Sequence, residues 1–296
     1  MIIYFPRKGT LDPFLAASLL MFKYPDAKTR ELTHYSSSTE ENTTEEESIL
    51  VDIGGAFDPT KKIYDHHHDL SLCFSTGLVL TCEFDTPLPE IHKTPLVKAD
   101  LIDKHFLPSN PLSVKLYEDL PSDTRLLETY VSFYPPMPEA GEFVMKMLKD
   151  KNSDSYHTFL VKLFSVVDKK RESYPNVVES ILDYKNRIST LLNSIVTFKL
   201  KGLVFGVSNK VVSPFYTEVF LVQKPDVLIE KKTYDTVRFI LNPISILAEG
   251  YKLSPDRLQI IGSPIYFDPI IRMCEIKLYE PIEDQQDLVT LILSVL

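Results

Sequence analysis

No apolar run in the sequence approaches the ~20 residues needed to span a bilayer; the longest candidate is the C-terminal Leu288–Leu296. No membrane association is expected. The N-terminal Met1-Ile2-Ile3-Tyr4-Phe5-Pro6 also lacks the basic-then-apolar layout of a signal peptide and reads as a first strand. Cysteine is scarce. Cys73, Cys82 and Cys274 are an odd number without zinc-ribbon spacing, which predicts reduced thiols and a cytoplasmic protein, with Cys73 and Cys82 as core thiols. The 9 glycines form no G-x-G-x-x-G or Walker loop, so nucleotide binding of those kinds is not expected. Positive charge is in deficit, 32 basic residues against 41 acidic ones, and a net −9 argues against coating nucleic acid by charge alone. A local basic groove stays open. What is present, 44% hydrophobic and 25% charged residues over 296 positions, excludes wholesale disorder and suits about two domains.

Strand and helix patterns alternate over the first hundred residues. Met1–Phe5 reads as a strand, and Asp12-Pro13 as an N-cap followed by proline at the first helical position. Leu15, Leu19 and Phe22 then share one helical face. Ser36–Ser48 is polar with five glutamates and reads as a solvated loop. Ile49–Asp52 and Ile63–Asp65 are short strands that end in carboxylates. The pattern predicts an α/β fold with a mostly parallel sheet flanked by helices. From Pro111 to about Val196 the reading is helical, followed by short strands at Leu203–Val207, Asp226–Glu230 and Thr236–Leu241. The division expected is 1–175, a linker helix 176–196, and a smaller α/β domain 197–296.

The sharpest chemical feature is Asp65-His66-His67, with Asp52 ahead of it and Asp100 and Asp103 behind. Carboxylates with imidazole form a hard oxygen–nitrogen set suited to Mn²⁺ or Mg²⁺. Strand ends in an open α/β sheet converge on one crevice, so distant residues can meet there. Asp12 reads either as a helix cap or as part of this set. Lys146–Arg171 carries seven basic residues against three acidic ones, and Lys169, Lys170 and Arg171 at its end are candidates for phosphate contacts. Phe215, Tyr216, Lys210 and Arg238 are candidates for stacking on and holding a single strand.

The segment Val51-Asp52-Ile53-Gly54-Gly55-Ala56-Phe57-Asp58-Pro59, with Tyr64-Asp65-His66-His67 close behind, resembles the DHH phosphoesterase superfamily. It is most similar to the branch of the melanocyte-proliferating-gene nuclease. Ser75-Thr76-Gly77-Leu78-Val79 and Ala99-Asp100-Leu101-Ile102-Asp103 sit where that branch has its small-residue and aspartate motifs. The remainder is similar to RecJ-like members in layout. The resemblance implies that Asp52 bridges two ions, that Asp12, His66 and Asp103 are metal ligands, that His67 binds the scissile phosphate, and that Asp65 orients its neighbours. It departs in the first motif, where Phe5 or Pro6, and Thr10, stand in place of expected ligands.

The function implied is a metal-dependent phosphodiesterase or exonuclease, with one or two Mn²⁺ or Mg²⁺ ions, acting on single-stranded DNA or RNA or short oligonucleotides. The alternative is a catalytically impaired RecJ-like partner of a helicase or a DNA replication or repair complex. The missing first-motif ligands and the apolar C-terminus, read as a docking segment, motivate it. A dinucleotide or pyrophosphate hydrolase is a third option.

Overall fold

A computed structural model describes residues 1–6, 10–32, 47–69, 71–86, 94–105, 112–117, 120–151, 153–210, 212, 215–242, 254–268 and 273–296. The acidic loop expected at Ser36–Ser48 lies, apart from its last two residues, outside them. The chain forms two compact units: residues 1–104 with 123–181, and residues 105–122 with 182–296. The second unit thus takes in 105–122, which a contiguous division of the sequence assigns to the first.

The first unit holds a five-stranded sheet. Its strands are β1 (Ile2–Pro6), β2 (Lys28–Leu32), β3 (Ser48–Val51), β4 (Phe57–Asp58) and β5 (Ile63–Tyr64), in the order β2-β1-β3-β5-β4. All pairings are parallel except β4 with β5. Helices follow the strands: α1 (Leu11–Lys23), α2 (Ser75–Phe84), α3 (Leu96–His105), α5 (Thr124–Ser132), α6 (Pro138–Lys149) and α7 (Tyr156–Asp168). Ile2, Tyr4, Leu50 and Ile53 form one small cluster with Leu32 and Ile63, while α1 buries Leu15, Leu19 and Leu20. Phe22, read from its spacing as part of that face, is 39% exposed. Helix α6 crosses α1 closely enough that a Cβ on Gly141 would lie 2.3 Å from the Ser18 carbonyl oxygen, so only glycine fits there. The Met137 N–H donates to Ser18 Oγ at 3.1 Å at the same contact.

The second unit is built on a six-stranded sheet. β6 (Val196–Leu200), β7 (Leu203–Ser208), β8 (Val227–Lys231), β9 (Thr236–Leu241), β10 (Gly262–Asp268) and β11 (Met273–Leu278) run in the order β10-β11-β9-β8-β7-β6. Only β7 and β8 pair in parallel. Helix α8 (Pro175–Ser194) leads into it, and α4 (Leu112–Tyr117), α9 (Tyr216–Gln223), α10 (Pro255–Leu258) and α11 (Gln285–Val295) complete it. Helix α4 packs against α9, which is why residues 105–122 join this unit. Helix α11 corrects a sequence reading. Leu288, Val289, Ile292, Leu293 and Val295 are buried in the core with Phe205, Ile229 and Phe239. The apolar C-terminus therefore fills the unit's interior, as a one-sided apolar helix on a sheet must, and is not a free docking segment.

Candidate metal centre

Three neighbouring strand ends build the site. Strands β1, β3 and β5 are adjacent and parallel, so the chain leaving each emerges on the same edge. Asp52 follows β3, with its N–H donating to the Tyr64 carbonyl at 2.9 Å. Its φ of 58° lies in the left-handed region, which aspartate tolerates better than most residues. Two residues on, Gly54 at φ 113° makes the turn that β-carbon-bearing residues resist; a Cβ there would also meet Ile63 at 2.9 Å. The turn brings the Gly55 N–H to Asp65 Oδ2 at 2.7 Å.

Asp12 does not cap its own helix. Thr10 occupies that position, and Asp12 sits inside the first turn of α1. Its carboxylate instead accepts the Ser75 N–H on Oδ2 and the Thr76 N–H on Oδ1, both at 2.7 Å. Helix α2 has Phe74 at its N-cap, with no side-chain acceptor of its own. Its orphan N–H groups are satisfied from outside, and the positive end of its dipole faces the acidic cluster. Asp100 takes part in the same way, accepting the Phe74 N–H at 2.7 Å while Lys104 Nζ stands 3.2 Å from its other oxygen.

His66 lies at the centre. Its Nε2 is 3.0 Å from Asp103 Oδ2, and its Nδ1 is 3.6 Å from Asp52 Oδ1 and 3.9 Å from Asp12 Oδ2. Candidate ligand atoms of Asp12, His66 and Asp103 lie within 4.8 Å of one another, as do those of Asp52, Asp65, His66 and His67. Asp12, Asp52, Asp65 and His66 are buried, whereas the His67 side chain is 47% exposed. Asp65 Oδ1 holds His67 twice, through the backbone N–H at 3.0 Å and Nδ1 at 2.6 Å. The two imidazoles stack at 4.6 Å.

The electrostatics follow from packing like charges out of water. Burial, and then the Asp103 charge, push the Asp12 carboxyl up to about 7. Burial and the charges of Asp12, Asp103 and Asp65 raise Asp52 well above the usual carboxylate range. Burial opposes a charged His66, but the Asp103 hydrogen bond and the Asp12 charge outweigh it and raise the imidazole. Burial likewise acts against ionised Asp65, and its bonds from His67 and Gly55 win, holding it low. Among the described residues no lysine or arginine pairs with Asp12, Asp52 or Asp103. Hard oxygen and imidazole donors with unbalanced negative charge fit a divalent cation such as Mn²⁺ or Mg²⁺.

The Thr10 hydroxyl donates to Asp103 Oδ1 at 3.0 Å. Two further residues matter, one inside the small-residue motif and one beyond the motifs. The Ser75 hydroxyl, wholly buried, lies 3.2 Å from Asp52 Oδ1 and 3.3 Å from His66 Nδ1, so it links two candidate ligands while its N–H holds a third. The uncapped start of α2 is the sequence signal that could have pointed there. Ser75→Ala keeps the backbone bond to Asp12 and is expected to weaken Mn²⁺ binding by about 10–100-fold, read by calorimetry. Glu83 is the second. It accepts from Tyr24 Oη at 2.7 Å, Lys23 Nζ at 2.6 Å and Tyr64 Oη, and so anchors the residue before Asp65 to α2.

The basic candidates are divided between the two units. Lys170 pairs with Glu139 at 2.6 Å and Arg171 stands 3.8 Å from Asp168; Lys169 is exposed at the end of α7. Arg238, in the second unit, is tied to Glu275 at 2.7 Å and to Tyr216 Oη at 3.3 Å. Tyr216 and Phe215 are 1% and 5% exposed, so they are core residues and not stacking platforms. Cys82 is exposed rather than in the core. Among the described residues no helix is long and apolar enough to cross a membrane.

Residues 9–117 match the family MYG1_exonuc, described as "Uncharacterised protein family (UPF0160)". No curated protein matches the sequence. Among solved structures, the pGpG-specific phosphodiesterase PggH from Vibrio cholerae aligns with 99% of this chain and 96% of its own, at 12% identity and a TM-score of 0.50. An uncharacterised protein from Helicobacter pylori G27 aligns over 100% of this chain and 99% of its own, at 12% identity and a TM-score of 0.27. The first likeness supports the two-domain α/β fold. The family match covers the segment that carries the aspartate and histidine motifs.

Proposed function

We propose that the chain is a Mn²⁺- or Mg²⁺-dependent phosphodiesterase that hydrolyses single-stranded nucleic acid or short oligonucleotides. The observation that carries this reading is the cluster of buried Asp12, Asp52 and His66 with half-buried Asp103, which gathers carboxylates around one imidazole without a lysine or arginine partner among the described residues. A divalent cation held by these residues would supply charge stabilisation for a phosphoryl group and activation of its nucleophile. The chain's own groups do the rest. Half-exposed His67, oriented through Asp65, is placed to contact a phosphate oxygen. Ser75 and the N-terminus of α2 hold Asp52, His66 and Asp12 in their arrangement. A role within a DNA replication or repair complex loses one of its two supports, since the C-terminal helix is core.

The test offers the chain a short single-stranded DNA, the matching RNA, the dinucleotide pGpG and pyrophosphate, with Mn²⁺, Mg²⁺ or EDTA. Release of mononucleotides from an oligonucleotide or the dinucleotide, stimulated by Mn²⁺ and abolished by EDTA, is the expected result. Absence of turnover with either metal on all nucleotide substrates would sink the reading, and cleavage of pyrophosphate alone would replace it.

A further inference from the structure

Helices α1 and α2 pack against each other and are tied together at both ends. At their N-terminal ends Asp12 accepts the Ser75 and Thr76 N–H groups. At their C-terminal ends the tie is a single side chain, Glu83. Its Oε2 accepts from Lys23 Nζ at 2.6 Å and from Tyr24 Oη at 2.7 Å, while Lys23 Nζ also donates to the Glu83 carbonyl oxygen. Its Oε1 accepts from Tyr64 Oη, at the end of β5. Three charge-assisted bonds, reaching α1 and β5 from α2, thus meet on a carboxylate whose side chain is only 8% exposed. Lys62, just before β5, adds its Nζ 5.3 Å from the centre of the Tyr24 ring.

Every element held by Glu83 leads to the aspartate–histidine centre. Helix α1 carries Asp12 in its first turn. Tyr64 directly precedes Asp65 and His66, and its carbonyl accepts the Asp52 N–H at 2.9 Å, so its place fixes two strand ends at once. Helix α2 begins at Ser75, whose hydroxyl lies between Asp52 and His66. Glu83 itself stands about 12 Å along α2 from Ser75, and none of its three partners is a candidate ligand. At the far end, Asp12, Asp52 and Asp103 repel one another, a force that drives α1 and the strand ends apart unless the frame resists it. Burial works against an ionised Glu83, but the bonds from Lys23, Tyr64 and Tyr24 outweigh it and hold the carboxyl below its usual range. The clamp therefore stays anionic, where its bonds are strongest.

We propose that Glu83 is a positioning residue for the metal centre: its carboxylate locks α1, α2 and β5 at the spacing that brings Asp12, Asp52 and His66 together. This rests on the proposed metal binding and adds a residue, remote from the ligands, on which metal affinity depends. Losing a partner directly behind a ligand typically costs about 10–100-fold in affinity. Glu83 acts one link further back, so Glu83→Ala is expected at the lower end of that range, about tenfold. Glu83→Gln keeps the shape: its amide oxygen accepts from Lys23 and Tyr24, and its NH₂ donates to the Tyr64 hydroxyl. It gives up only the charge assistance, so its affinity falls between those of the parent and Glu83→Ala.

The test is calorimetric titration of Mn²⁺ into the full chain, parent and variants, well below the melting temperature of each. Affinity and stoichiometry separate positioning from mere loss of fold. Misplaced ligands weaken the dissociation constant while every chain still binds, whereas partial unfolding lowers the number of sites and leaves the folded chains with the parent's constant. Val167→Ala is the control: it truncates a fully buried side chain on α7, which packs against α5 and α6, and lowers the melting temperature without touching the clamp. Glu83→Ala is expected to bind about tenfold more weakly at unchanged stoichiometry, and Val167→Ala to bind as the parent does. The proposal is overturned if Glu83→Ala keeps the parent's affinity, or if Val167→Ala weakens binding as much as Glu83→Ala. A parent chain that binds no Mn²⁺ defeats the metal reading itself and the clamp with it. Parent binding that Glu83→Ala leaves intact defeats the clamp alone.

Discussion

Asp52→Asn is expected to reduce Mn²⁺-dependent turnover by about 10³-fold or more and, in the same protein, to raise the melting temperature of the metal-free chain. The two effects have one cause. Asp52 is buried beside the charges of Asp12, Asp103 and Asp65, all of which oppose its ionisation. Asparagine keeps its shape and can still accept from the Ser75 hydroxyl, now 3.2 Å from Asp52 Oδ1, while it removes the charge. Without a cation, that removal relieves repulsion, and each kcal/mol relieved is worth about 2–4 °C in a chain of this order of size. With a cation, it deletes an anionic ligand. Losing a partner behind a ligand typically costs about 10–100-fold, so losing the ligand itself is expected to cost more. Steady-state turnover and thermal melts in EDTA and in Mn²⁺ read both halves. A variant that loses activity together with metal-free stability would assign Asp52 a structural role and defeat the prediction. His66→Ala is the useful contrast: it strands Asp103, which lies 3.0 Å from His66 Nε2, and is expected to lose activity without gaining stability.

Opposite signs of this kind help to explain which parts of the molecule were legible in the sequence. Asp52, Asp65, His66 and His67 were visible because carboxylates and imidazoles at strand ends leave few readings other than chemistry. The parallel sheet was visible from short β-branched runs separated by helical patterns. Pairing was not visible. Asp12 reads either as the cap of its own helix or as part of the metal set, since nothing local shows that Ser75 and Thr76, in a helix more than sixty residues away, need its oxygens. Ser75 belongs to a small-residue motif whose fit is plain while its hydrogen bonds are not. The C-terminal run Leu288–Leu293 was ambiguous for another reason. An apolar stretch reads alike whether it faces a partner or its own sheet, and here burial against Phe205, Ile229 and Phe239 decides for the sheet. Aromatics in the second unit were misjudged in the same way. Tyr216 spends its hydroxyl on Glu230 at 3.0 Å inside the core.

The metal-free chain is expected to lose stability as pH rises from about 4 to above 7, and Mn²⁺ to reverse that loss increasingly toward the alkaline side. Asp12 fixes the sign. In the unfolded chain its carboxyl releases its proton near the ordinary value of 3.8, but in the fold burial and Asp103 raise the value to about 7. Below the ordinary value both states are protonated and the fold keeps its full stability. Between the two values the fold must hold a proton that the unfolded chain has already released, so each step up in pH favours unfolding until Asp12 has ionised in both states. Asp52 acts in the same direction, and the two titrate as a set. Raised His66 adds to it, because the stability from its protonated form is present below its unfolded value and lost as pH climbs through the folded one. Asp65 and Glu83 oppose this only at the acid end, since their lowered values give stability above the ordinary carboxylate range that disappears as pH falls through the folded ones. The net effect of the centre is on the order of a few kcal/mol. A cation that binds the ionised carboxylates stabilises the folded chain most where protons no longer compete. Urea midpoints at pH 5, 6, 7 and 8, in EDTA and in Mn²⁺, should separate progressively. An EDTA series that stays level or rises over that range would show that the carboxylates are not held against one another as their geometry requires.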